Sequence, residues 1–169
     1  MFSVITAPAP LTDYAVRIFL AGGITGCPDW QASAVERLRD LYASWPFVHD
    51  EDLQILNPRR PVWPEDFPQD GEARKQIAWE ASALDSADVI LFWFPGGHQV
   101  QPIALFELGR WSYTQKPVLV GAAPQYTRRF DIVEQMRLSN KSVYQNLEDC
   151  CSAAYLAAGL RAARLTNSP

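Results

Sequence analysis

Apolar runs just long enough to cross a sheet, each stopped by glycine or proline, alternate along this chain with stretches of helical periodicity. Residues 16–21 (VRIFLA) end at Gly22-Gly23, and residues 88–94 (DVILFWF) end at Pro95-Gly96-Gly97. Runs so short and so uniformly apolar are covered on both faces, as parallel strands are. Residues 53–56 (LQIL), closed by Asn57-Pro58, read as another strand. So do residues 118–120 after Lys116-Pro117, and the short pair 143–144. Between them lie helices. Asp29 is placed to cap residues 30–44, where Ala34, Leu38 and Leu41 share one face and Pro46 follows. Residues 71–86 form a helix with Ile77, Ala81 and Leu84 inward. Pro102 opens a helix to about residue 114, since proline suits a first turn. Residues 131–138 and the Ala-rich 146–163 complete the set.

Strands alternating with helices predict an α/β fold: one doubly wound domain over residues 1–169. About five parallel strands carry helices on both faces, in a flavodoxin-like or Rossmann-like arrangement. Residues 1–14, with Pro8 and Pro10, read as a flexible N-terminal segment. Residues 61–70, rich in Pro, Asp and Trp, read as a functional loop. The chain has 169 residues, and 48% are hydrophobic, so a core forms without disulfide staples. The net charge is −4, and the basic doublets Arg59-Arg60 and Arg128-Arg129 are short and isolated, which argues against a nucleic-acid partner. Three cysteines, Cys27, Cys150 and Cys151, make no disulfide framework. Neither they nor His49 and His98 carry metal-ligand spacing, so no metal is expected. No run approaches the roughly 20 apolar residues of a membrane span. With no signal-peptide pattern, a cytoplasmic protein is the expectation.

Ligands of such sheets bind beyond the carboxyl ends of the strands. That rule selects residues 22–30, 57–63, 95–101 and 122–131. The AGGITG turn is not a dinucleotide fingerprint; its glycines serve a tight turn or let a ligand approach the backbone. Asn57 closes the second strand and faces the same rim. Glu107 is a lone acid inside an apolar helical stretch (IALFELGR). It is either a solvated residue paired with Arg110 or an acid kept ionised by the helix dipole for attack at an electron-poor carbon. Glu80 is either exposed or a proton donor to a nucleobase, and Asp88 reads as a loop holder. The aromatics Trp30, Trp63, Trp93 and Phe94 are core residues or, for one or two, a stacking wall for a flat ligand; Trp93 is the candidate kept.

These residues also resemble a known family. Residues 16–23 (VRIFLAGG), 84–90 (LDSADVI), 106–110 (FELGR) and 116–118 (KPV) occur in the order found in the nucleoside 2-deoxyribosyltransferases and their deoxyribosyltransferase-like branch. The resemblance covers residues 16–147. It implies a double displacement without a cofactor. The glutamate of the ELG step, here Glu107, attacks the anomeric carbon and forms a covalent glycosyl-enzyme. A second nucleobase, or water, then takes the sugar. The acid that manages the base's proton matches Glu80, although relatives more often carry aspartate there. Gly22, Gly23 and Ile24 match the turn lining the sugar and base pocket. A homo-oligomer is implied, with a neighbouring subunit completing the site near Asp131.

One position departs from the family. Relatives often carry an aspartate six residues before the nucleophile, holding a sugar hydroxyl. Gln101 stands there, and an amide brings no negative charge. Three functions therefore compete. The first is base exchange on free 2′-deoxynucleosides. The second is hydrolysis of (deoxy)nucleoside 5′-monophosphates, whose relatives use a serine before the glutamate that this chain lacks; Arg59, Arg128 or Arg129 would have to hold the phosphate. The third is a non-catalytic nucleotide-binding module, for which a pair of acids has no use.

Overall fold

The computed structural model of the chain describes residues 1–12, 16–47, 52–62 and 71–166. Six strands form one all-parallel sheet: β1 (Phe2–Thr6), β2 (Val16–Gly22), β3 (Leu53–Asn57), β4 (Val89–Phe94), β5 (Val118–Ala122) and β6 (Val143–Tyr144). Their order across the sheet is β1-β3-β2-β4-β5-β6. The helices are α1 (Trp30–Ser44), α2 (Glu72–Ser86), α3 (Pro102–Trp111), α4 (Arg129–Leu138) and α5 (Leu147–Thr166). The chain is a doubly wound α/β domain, as its pattern predicts.

The sixth strand corrects the expectation for the N-terminus. Residues 2–6 are not a flexible lead-in but an edge strand, paired in register with β3 from Phe2 opposite Leu53 to Thr6 opposite Asn57. All five residues are only half-buried, as an edge position allows, so the run lacks the uniform apolarity of the inner strands. Residues 13–14 of that segment, His49, and residues 63–70 with Trp63 lie outside the described residues.

Alternation along the inner strands sorts side chains into two cores. Phe19, Leu56, Ile90, Phe92 and Phe94 face α2, α3 and α4. Ile18, Leu20, Leu53, Ile55, Val89, Leu91 and Trp93 face α1 and α5. Every residue of β4 is buried, because helices cover both of its faces. The Asp29 side chain accepts from Ala32 N–H at 3.1 Å and starts α1 as expected.

Helix α2 is turned from the expected face. Gln76, Trp79, Ala83 and Leu84 are buried, whereas Ile77 and Ala81 are exposed. Trp79 wins the inward position because its large ring packs beside Phe19, centroids 6.4 Å apart, and its indole N–H donates to the Ala9 carbonyl at 2.7 Å. That rotation presents Ile77 and Glu80, one turn apart, to the carboxyl end of β2. At the far end of α2, Lys116 Nζ donates to the Leu84 and Asp85 carbonyls at 2.8 and 2.7 Å. The lysine before β5 thus satisfies open carbonyls at a helix C-terminus. Asp88 is a loop holder: it accepts from Arg17 N–H at 3.0 Å and meets Arg161 at 3.4 Å.

Candidate active site

Strand order reverses between β2 and β4, and there Gly22 stands opposite Trp93. A cavity of about 490 Å³ opens at this switch point, where doubly wound sheets place their ligands. Its floor is Phe19, Ala21 and the turn Gly22-Gly23-Ile24. One wall is α2, through Gln76, Ile77 and Glu80. The other is the start of α3, through Gln101, Ile103, Ala104 and Glu107. The lining is largely apolar, with two acids in it, a composition suited to a flat organic ligand.

The turn has to be glycine. Gly22 has φ +152°, and a Cβ there would lie 2.2 Å from the Trp93 carbonyl oxygen. A Cβ on Gly23 would lie 2.5 Å from both Cys27 Sγ and Gln101 Cδ. The turn is held from outside as well. Trp30 Nε1 donates to the Gly23 carbonyl at 3.0 Å. Arg59 donates to the carbonyls of Ile24, Cys27 and Pro28, and through Nε to Gln31 Oε1 at 2.8 Å.

Gln101 is the N-cap residue of α3 in a left-handed conformation, φ 54° and ψ 57°. A non-glycine residue held there costs about 1–3 kcal/mol, a strain that clusters at functional sites. Its Oε1 accepts from Gly23 N–H at 2.7 Å, and its Nε2 is buried without a hydrogen-bond partner. The amide ties the glycine turn to the helix that carries Glu107.

Glu107 lies at the sixth position of the ten-residue α3. That is beyond the first turn, where the helix dipole acts, so the expected dipole stabilisation of its charge does not reach it. Burial, reinforced by the nearby charge of Glu80 and opposed by Arg110, pushes its carboxyl up to about 7. Glu80 is also raised, by burial, against the pull of a hydrogen bond from Gln76 and the charge of Arg60. Two facing carboxyls in an apolar wall favour a shared proton, so that one acts as acid while the other is ionised.

Not every expected site residue lines this cavity. Trp93 does not: strand alternation aims it at the α1–α5 face, where Gly121 leaves room for its ring. Trp30 braces the turn from below, and Phe94 is fully buried between Phe92 and Tyr126. The flat wall expected from these aromatics is replaced by Ile77 and Ile103. Asn57 closes its own corner, its Oδ1 accepting from Arg59 N–H at 2.9 Å. Asp131 is exposed on α4 beside Arg128, at 3.7 Å, and does not face the cavity of its own chain. Sequence reading missed Gln76, Ile77 and Ile103. The signal for Gln76 was its spacing, one helical turn before Glu80.

No cation lines the cavity among the described residues. Arg59 is spent on the turn, Arg129 Nε donates to the Ala122 carbonyl at 3.2 Å, and Arg128 pairs with Asp131. Residues 63–70 contain no lysine or arginine. Among the described residues no group of three or more His, Cys, Asp or Glu is placed to hold a metal ion. No described helix is long and apolar enough to cross a membrane.

Among curated proteins, none matches the chain. The family profile described as nucleoside 2-deoxyribosyltransferase like matches residues 15–126. That span runs from β2 through the Gly22-Gly23 turn, Glu80 and Glu107 into the loop after β5. The chain therefore belongs to the nucleoside 2-deoxyribosyltransferase-like family.

Proposed function

We propose that this protein is a nucleoside 2-deoxyribosyltransferase that exchanges the base of a free 2′-deoxynucleoside. The observation that carries the reading is the pairing of Glu107 and Glu80 in an apolar cavity whose described lining holds no cation. A 5′-monophosphate brings two negative charges toward two carboxyls with nothing in that lining to offset them. A neutral nucleoside meets no such penalty.

The chemistry follows from the two acids. Ionised Glu107 attacks the anomeric carbon as the bond to the base nitrogen breaks, through an oxocarbenium-like state. The electron pair of that bond leaves on the base, and Glu80 supplies the proton that neutralises it. The sugar is then esterified to Glu107. An incoming base returns a proton to Glu80, attacks the same carbon and releases the Glu107 carboxylate. Gly22, Gly23 and Ile24 let the sugar and base lie close to the backbone, and Gln101 takes the place of the aspartate that holds a sugar hydroxyl in relatives. Asp131, exposed on its own chain, serves the sugar end of a neighbouring subunit's site in a homo-oligomer. The cysteines are free thiols, two of them buried, which suits a reducing cytoplasm, and base exchange on free nucleosides suits a role in nucleoside salvage.

The test is base exchange. Purified protein given deoxyadenosine and excess cytosine should form deoxycytidine, and Glu107→Ala should not. Release of free base only from a deoxynucleoside 5′-monophosphate would replace this reading with the hydrolase. Inertness toward both, with retained binding, would leave a nucleotide-binding module.

A further inference from the structure

Gln76 links the cavity to a chain of side chains that leads away from it. Its Nε2 donates to Glu80 Oε1 at 2.7 Å and to the Pro58 carbonyl at 2.8 Å. Its Oε1 accepts from Arg60 Nε at 2.6 Å. Arg60 NH1 in turn donates to Glu72 Oε2 at 2.8 Å, and the other oxygen of Glu72 takes Lys75 Nζ at 2.7 Å. Gln76 and Arg60 are both buried.

The direction of the amide is fixed by chemistry. A guanidinium has donors only, so the atom of Gln76 facing Arg60 has to be the carbonyl oxygen. Turning the amide over would set N–H against N–H and carbonyl against carbonyl at Pro58. Both Nε2 hydrogens are committed, one to Pro58 and one to Glu80. Glu80 Oε1 therefore always meets a donor. A neutral carboxyl meets a donor best with its C=O oxygen, which leaves the hydroxyl on the other oxygen.

We propose that Gln76 and Arg60 are positioning residues for proton transfer: by holding Glu80 Oε1 as an acceptor, they keep the acidic proton on Oε2, from which the leaving base takes it. This rests on the reading of Glu80 as the acid. When the Oε2–H bond breaks, the proton goes to the base nitrogen that receives the electron pair of the glycosidic bond. Glu80 becomes a carboxylate, and the Gln76 hydrogen bond to it becomes charge-assisted and stronger. The contact thus favours the state after transfer over the state before it, as a contact that speeds a reaction must. In the second half-reaction the incoming base returns its proton to Oε2. A role confined to packing the corner between β3 and α2 would need the Pro58 contact alone.

Leaving groups separate the two roles. Deoxyadenosine needs its base protonated on departure. 7-Methyl-2′-deoxyguanosine carries a cationic base that leaves neutral without a proton. Gln76→Met removes the donor to Glu80 at nearly constant volume, and Arg60→Met frees the Gln76 amide to turn its oxygen toward Glu80. Both variants should lose about 10- to 100-fold in kcat on deoxyadenosine, with KM nearly unchanged. On 7-methyl-2′-deoxyguanosine both should lose much less. Equal losses on the two substrates, or no loss on deoxyadenosine in a folded variant, would overturn the inference while leaving the transferase reading intact. Wild-type protein inert toward both nucleosides would sink that reading and this inference with it.

Discussion

Glu107 carries the largest electrostatic tension in the site, and its consequences can be measured in two ways. Its carboxyl stands at about 7, against 4.5 for the ordinary group. Attack requires Glu107 ionised while departure of the base requires Glu80 protonated, so kcat/KM should be bell-shaped, falling below about 7 as Glu107 takes up its proton and again on the alkaline side as Glu80 loses its own; a profile flat across the neutral range would contradict this. Stability carries the same shift with its own sign. Below pH 4.5 the proton is bound in folded and unfolded chains alike. As the pH rises through 7 the folded chain holds a buried charge, at a cost of up to about 3 kcal/mol. Glu107→Gln should therefore be inactive yet more stable than wild type at pH 8, with the gain vanishing near pH 4 in thermal melts. Glu107 was legible in the sequence as a lone acid in an apolar stretch. Its protonation was not, because it depends first on burial and then on the nearness of Glu80, which only the placement of α2 and α3 around the cavity reveals. At Gly23, an added Cβ would meet Cys27 and Gln101 at 2.5 Å. Gly23→Ala should displace Gln101 and raise KM at least tenfold, a loss of about 1.4 kcal/mol in binding, while Gly109→Ala, where a Cβ meets nothing within 4 Å, should leave KM unchanged.

The elements were legible where apolar runs were uniform and illegible where one residue outweighed the pattern. β2, β4 and β5 stood out because both of their faces are covered. β1 did not, since an edge strand needs less apolar surface and its neighbours Pro8 and Pro10 suggest a loop. The face of α2 was misread because periodicity gave Ile77, Ala81 and Leu84 equal weight, whereas the Trp79 ring sets the rotation. Trp93 was misassigned for a simpler reason: its neighbours Phe92 and Phe94 point the other way. Trp93→Phe should leave nucleoside affinity unchanged and lower stability by about 1–3 kcal/mol, because it trims a buried ring; a rise in KM without loss of stability would put Trp93 back in the site. Lys116→Met should cost about 1 kcal/mol by opening the C-terminal carbonyls of α2, read from denaturant midpoints.

At the scale of the molecule, the cavity's lining residues Ile77 and Ile103 are 64 and 66% exposed, and Phe106, also on α3, is 71% exposed. Apolar groups gathered around a site suit a contact with another copy of the chain. If subunits share sites through Asp131, Glu107→Ala and Asp131→Ala chains should each be impaired alone and regain activity when mixed and reassembled. Additive, unrestored activities would place the whole site within one chain. The doubly wound architecture was readable from the alternation of strands and helices, and it located the cavity at the strand-order switch. In the proposed reaction Glu107 forms a bond to the sugar. A 2′-fluorinated deoxynucleoside slows breakdown of such an ester by destabilising the oxocarbenium-like state, so the intermediate accumulates. Intact-mass spectrometry followed by peptide mapping should find the fluorosugar on the peptide containing Glu107, and release on adding an acceptor base. A protein that turns over deoxynucleosides but carries no adduct, or carries it on another residue, would rule out Glu107 as the nucleophile.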